Sequence, residues 1–288
     1  MNGQIVVGWS DSPEGRSARE WAAAQAAATD RCLVVLDEVP QDSLGGGAGD
    51  QNEHQLIERT RTRLAAAVEI LADRFVGLEV RVVVEVDDRA AGLVRWSSVA
   101  DILVLGAPPR RHLRMMGSLT DHLAAAAHSP VALIPGGWQA GPDATGAVRG
   151  GAVVVGATTT MSGRAAVHFA SQEAVRLDAT LLAVVGAERR SAEGRSLVAH
   201  FADLAAAEPG LMIEVHWAGG DPAQALVDLA RDARLVVIGV HHSEDRWSIR
   251  LGPVTETVLS RVACPVITVA RLHTPAAGEP AAPAWLRV

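Results

Sequence analysis

The 288-residue chain contains no lysine and no tyrosine, so every cationic side chain other than histidine is an arginine. A phosphate loop that depends on lysine is therefore excluded, and so is Schiff-base chemistry, pyridoxal phosphate enzymes included. Catalysis by a phenol drops out with tyrosine. The two cysteines, Cys32 and Cys264, cannot form a disulfide framework; they suit a reducing compartment, where a thiol behaves as a small buried hydrophobe. Basic charge is also short. The net charge of −7 has the wrong sign for a protein that neutralises nucleic-acid phosphates. No apolar run approaches the ~18 residues of a membrane span, and the opening Met1-Asn2-Gly3-Gln4 has no basic and apolar leader. These absences point to a cytoplasmic protein with neither a membrane nor a nucleic-acid partner. Apolar residues are plentiful, 49% against 20% charged, which is the composition of a packed globular chain.

An internal repeat organises the sequence. Ile5-Val6-Val7-Gly8 returns as Val153-Val154-Val155-Gly156. At the same offset Gly15-Arg16 matches Gly163-Arg164, Trp21-Ala22 matches Phe169-Ala170, Asp30 matches Asp178 and Leu33 matches Leu181. Further on, Ile102–Gly106 matches Leu235–Gly239, and Ser129-Pro130-Val131 matches Cys264-Pro265-Val266. The offset shrinks between the early and late blocks, so the first copy carries extra residues, assigned to the Gly-rich stretch 41–52. The domains are read as 1–137 and 151–271, with a linker at 138–150 and a loosely ordered tail at 272–288.

Each copy alternates short apolar runs with helical patterns. In the first copy, strands are expected at 4–7, 32–39, 78–86, 102–105 and 131–134. Helices are expected to begin at Ser12-Pro13-Glu14, a capping hydroxyl followed by proline, and at 54–74, 90–98 and 118–128. Strands near 152–155, 180–185, 212–217, 235–238 and 265–270 repeat the pattern. Alternating β and α units imply an α/β, doubly wound, mostly parallel Rossmann-like sheet of five strands per copy, with helices on both faces.

Such sheets bind ligands beyond the carboxyl ends of the strands, where the strand order reverses. The run Gly45–Gly49 is a poor dinucleotide fingerprint: Asp50 stands at its last glycine position, and it follows the second strand. Gly106, a short loop and then Gly117-Ser118-Leu119-Thr120 opening a helix make a better cradle. Glycine allows close backbone approach, and a helix tip offers free N–H groups and a positive dipole end. From local physics alone, an ordinary turn and N-cap at Gly117-Ser118, as found on many helices, is the stronger explanation of the same residues.

A strand ending in Gly, then Ser-Pro and a helix carrying Trp-Ala, resembles the opening of universal stress protein domains. So does Ala-Asp, an apolar strand, Gly, and later Gly-Ser with a helix leading to Ser-Pro-Val or Cys-Pro-Val. The likeness covers residues 4–135 and 152–270. It implies the adenine nucleotide alpha hydrolase-like fold, an ATP site, and a regulatory role without chemistry of its own. In nucleotide-binding members the phosphate loop reads Gly-x2-Gly-x9-Gly-Ser/Thr, and an Asp follows the first strand. Both copies depart from that pattern. In the first copy, Pro109 replaces the second glycine, Gly117-Ser118 arrives early, and Ser10 occupies the Asp position beside Asp11. In the second, the spacing from Gly239 to Gly252 is kept, but His242, Pro253 and Thr158 replace the glycine, the hydroxyl residue and the Asp.

The resemblance therefore leaves two readings open: a stress-response protein binding ATP or another adenine nucleotide in the first domain, or a nucleotide-independent scaffold of the same fold. A weak ATPase stands third, because no Mg²⁺ carboxylate or general base is evident. Arg110, Arg111 and Arg114 are either replacement phosphate donors or a solvated face. Trp9 either stacks on a base or plugs the pocket, and His241-His242 is read as solvated loop, with no metal expected. The resemblance also implies pairing of the two copies through their last strands, 131–134 and 266–269, as an internal pseudo-dimer, and a homodimer of chains.

Overall fold

In a computed structural model, which describes residues 3–40, 50–107, 119–139, 151–240 and 251–270, the predicted alternation is realised. Strand β1 (Gln4–Gly8) leads into helix α1 (Pro13–Ala28) through the expected cap: the Ser12 hydroxyl accepts from the Gly15 amide at 3.0 Å, with Pro13 in the first turn. The first copy continues through β2 (Cys32–Val39), α2 (Asp50–Arg74), β3 (Val80–Val86), α3 (Arg89–Ser97), β4 (Ile102–Gly106), α4 (Leu119–Ala126) and β5 (Val131–Ile134). The second runs β6 (Val153–Ala157), α5 (Met161–Arg176), β7 (Leu181–Val185), α6 (Ala192–Ala207), β8 (Ile213–Trp217), α7 (Pro222–Leu229), β9 (Leu235–Gly239), α8 (Pro253–Arg261) and β10 (Val266–Val269). Thr160 caps α5 as Ser12 caps α1, accepting from Gly163 at 3.1 Å.

The extra length of the first copy is partly helix. α2 has 25 residues where α6 has 16, and it begins at Asp50, inside the stretch expected to be loop. Ala28, at the end of α1, is exposed.

The strands form one sheet in the order β3-β2-β1-β4-β5-β10-β9-β6-β7-β8. All neighbours are parallel except β5 and β10, which pair antiparallel with Ala132 opposite Ile267. The two copies thus meet strand to strand, and no edge is exposed at the junction. Side chains alternate across the sheet. Ile5, Val7, Val153 and Val155 enter the layer beneath α1, α2, α5 and α6, whereas Val6 and Val154 enter the layer beneath α3, α4, α7 and α8. Asp30 and Asp178, matched in the repeat, share left-handed backbone with φ of 52° and 48°. Aspartate tolerates that conformation better than most L-residues, which gives the match a local cause.

Candidate functional site

In the first copy the strand order turns at β1 and β4, and a cavity of about 360 Å³ opens at their carboxyl ends. Its walls include Gly8, Trp9, Leu36, Leu93, Leu105 and Gly106, with Ser10, Glu14, Glu38, Arg89 and Leu119 supplying polar groups and the rim. Of the residues expected at the site, the structure brings together Ser10, Gly106 and Leu119. Asp11 is exposed on the adjoining turn. Thr120 falls within α4. Gly117 and Ser118 lie outside the described residues, as do Pro109, Arg110, Arg111, Arg114, His241, His242 and the Gly45–Gly49 run.

Gly106 has a packing duty that its sequence position does not reveal. A Cβ there would stand 2.6 Å from the Glu14 carbonyl carbon and 2.8 Å from the Gly15 nitrogen, both backbone atoms. Gly239 meets Ser162 and Gly163 in the same way, at 2.6 and 2.8 Å. The strand end is pressed against the first turn of the first helix of each copy, α1 or α5, and only glycine fits.

Trp9 is buried at 7% exposure, and the Arg19 guanidinium lies 3.8 Å from its ring centroid, a cation–π contact. Arg19 is itself buried and donates to the Ser10 carbonyl at 2.5 Å, so it fixes both the indole and the turn that follows β1. Burial lowers the pKa of its guanidinium, and Asp11 opposes the shift.

The residues that sequence reasoning missed are two consecutive acids at the end of β2. Asp37 has its partners: Arg63 donates to Oδ2 at 2.8 Å, and Arg89 stands 3.9 Å from Oδ1. Burial nevertheless raises its pKa. Glu38, 3% exposed, lines the cavity, and its Oε1 has no hydrogen-bond partner among the described residues. Desolvation, reinforced by Glu85 and then Asp87 against the pull of Arg89 and Arg95, pushes its carboxyl up to about 8. It is therefore mostly neutral at pH 7, able both to donate and to accept a hydrogen bond. The available signal was Asp37-Glu38 closing an otherwise apolar strand.

The described positions of the second copy that align with these residues carry other side chains. Ala157 stands for Trp9, Gly186 for Glu38, Pro222 for Arg89 and Val185 for Asp37. Thr158 is exposed and shares a hydrogen bond with Thr160 at 2.8 Å. Gly252 is the N-cap of α8 without a side-chain cap bond; Pro253 follows it, and Glu256 places a negative charge in the first turn, where an anion would be repelled.

Both cysteines are free thiols. Burial pushes Cys264 up to about 12, so at pH 8 its alkylation by iodoacetamide is expected to run roughly a thousandfold slower than that of an unperturbed thiol. Peptide mapping of the alkylated protein reads that rate; comparable modification of Cys264 and a model thiol would contradict it. Among the described residues no cluster of His, Cys, Asp and Glu could hold a metal, and no helix is long and apolar enough to cross a membrane.

Comparison with known proteins places the chain. It is 25% identical over 287 residues to a universal stress protein of Mycolicibacterium smegmatis, covering 92% of this chain and 96% of that one. A universal stress protein of Mycobacterium tuberculosis is 28% identical over 288 residues, covering 91% and 95%. Among solved structures, a universal stress protein from Archaeoglobus fulgidus superposes with a TM-score of 0.72 at 15% identity, covering 93% of this chain and 96% of that one, which shows the shared fold. The model of the universal stress protein family matches residues 1–135 and 162–270, and the chain belongs to that family.

Proposed function

We propose that the protein is a non-catalytic stress-response regulator whose first copy, residues 1–137, binds an adenine nucleotide such as ATP, while the second, residues 151–271, serves as its structural partner. The observation that carries this reading is the cavity at the β1–β4 switch point, which combines apolar walls, a lining tryptophan and an unsatisfied polar group in the first copy. The corresponding positions of the second copy hold alanine, glycine and proline. Because β5 and β10 already pair within the chain, a dimer of chains would form through another surface. A nucleotide-independent scaffold is the second reading, favoured by Glu14 and Glu38, two carboxyls at a cavity meant to admit a phosphorylated ligand. Native mass spectrometry of freshly purified protein, followed by ATP titration monitored by tryptophan fluorescence, separates the two. A co-purified adenine nucleotide or a saturable signal is expected. Neither mass shift nor fluorescence change would leave only the scaffold.

A further inference from the structure

Two acids adjoin in β2, and only one has been provided for. Asp37 is ion-paired to Arg63, with Arg89 nearby, which accounts for its burial. Glu38 is equally buried yet has an oxygen without a partner among the described residues. A buried polar group left unsatisfied is costly, and a native structure that keeps one calls for a reason. Space has been cleared for it: a Cβ on Gly92 would fall 1.8 Å from Glu38 Oε1. In the second copy both positions change together, Glu38 to Gly186 and Gly92 to Ala225. Filling the core does not need a carboxyl, and Leu36, Leu93 and Leu105 already line the same cavity with hydrocarbon.

We propose, taking nucleotide binding in this cavity as the premise, that Glu38 is the specificity-determining residue for the base, pairing with a ring edge that carries an amino group beside an acceptor nitrogen, as adenine does. The hydrocarbon of Leu36, Leu93 and Leu105 suits the faces of a flat heterocycle, and the Glu38 carboxyl among them is a group that can read its edge. Its last torsion is soft, so an oxygen turns toward the cavity without leaving a rotamer well. The charged groups around it are Glu85, Asp87, Arg89 and Arg95 from β3, the following turn and α3, with Glu14 from α1 on the cavity wall. Arg95 is held by Glu85 and Asp87, each at 2.6 Å. The proton retained on Glu38 at neutral pH gives it the donor that an acceptor nitrogen requires.

The test is calorimetric titration of the full chain with adenosine, purine riboside, which lacks the amino group, and N6,N6-dimethyladenosine, whose amino hydrogens are replaced. The wild type is expected to prefer adenosine over each analogue by about tenfold or more. Glu38→Gln, which keeps a donor and an acceptor, should retain that preference. Glu38→Met should bring the ratio to near one, by weakening adenosine at least about tenfold while changing purine riboside by less than about threefold. Equal affinities for all three nucleosides in the wild type would overturn the assignment without recourse to any variant, and so would an unchanged preference in a folded Glu38→Met protein. If neither adenosine nor ATP binds the wild type, the nucleotide reading itself fails, and the inference falls with it.

Discussion

Between about pH 5 and pH 8 the wild-type protein is expected to lose several kcal/mol of folding stability that a Glu38→Gln variant keeps. The folded-state carboxyl titrates near 8, above its ordinary value of 4.5. Below pH 4.5 the folded and unfolded chains both hold the proton, and the residue contributes no pH dependence. As pH rises, the unfolded chain releases its proton while the folded chain still holds one, so stability falls by roughly 1.4 kcal/mol per pH unit. The fall levels off above the folded-state pKa, after a total on the order of 5 kcal/mol. Glutamine does not titrate, so subtracting its stability profile from that of the wild type removes the contribution of Asp37 and every other shared group. Urea denaturation at closely spaced pH values measures the difference. Parallel profiles would mean that Glu38 is ionised and satisfied in the folded protein.

Replacing Gly106 by alanine is expected to cost about 3 kcal/mol, lowering the thermal midpoint by on the order of 10 °C. The added methyl would meet the backbone of Glu14 and Gly15, which cannot rotate aside, so α1 must lift from the end of β4. Gly239→Ala should cost a similar amount through Ser162 and Gly163, although Gly186 and Pro222 stand in the second copy where the first has Glu38 and Arg89. Equal penalties at the two positions would show that the repeated glycine serves helix–strand packing. A Gly106→Ala protein that melts like the wild type and loses only nucleotide affinity would assign the glycine to ligand approach alone.

These contacts show how far the sequence could be read. The repeat and the apolar periodicity placed the strands closely, because strands buried on both faces leave near-continuous Val, Ile and Leu runs. Ser12 and Pro13 identified the start of α1 because capping chemistry is local. The start of α2 was misplaced because Asp50 follows a glycine run that reads as loop. Gly106 and Gly239 were visible as matched glycines, but the backbone each presses against, at Glu14-Gly15 and Ser162-Gly163, is distant in sequence, so no local pattern could show the contact. Glu38 was hidden for the same reason. A glutamate near a strand end reads as exposed until α3 is seen to bring Gly92 against it. Its counterpart, Gly186, becomes informative only once the two copies are aligned through their β1–β2 and β6–β7 registers.

The division of labour also follows from this alignment. Both copies retain the packing glycines and the helix caps that hold the strand ends in place, and both contribute to the two core layers. Among the described residues aligned between the copies, Trp9, Arg89, Asp37 and Glu38 of the first correspond to Ala157, Pro222, Val185 and Gly186 in the second. The duplicated fold thus preserves its scaffold in both copies, joined by the β5–β10 pairing, while the aligned cavity residues differ between them.

Isothermal titration calorimetry of ATP into the full chain measures that asymmetry directly. One nucleotide per chain is expected, with the signal abolished by Trp9→Ala in a protein that still folds. Two equivalent sites per chain, or one site that survives changes at Trp9 and disappears on substitution of Thr158, would place the working cavity elsewhere and contradict the account.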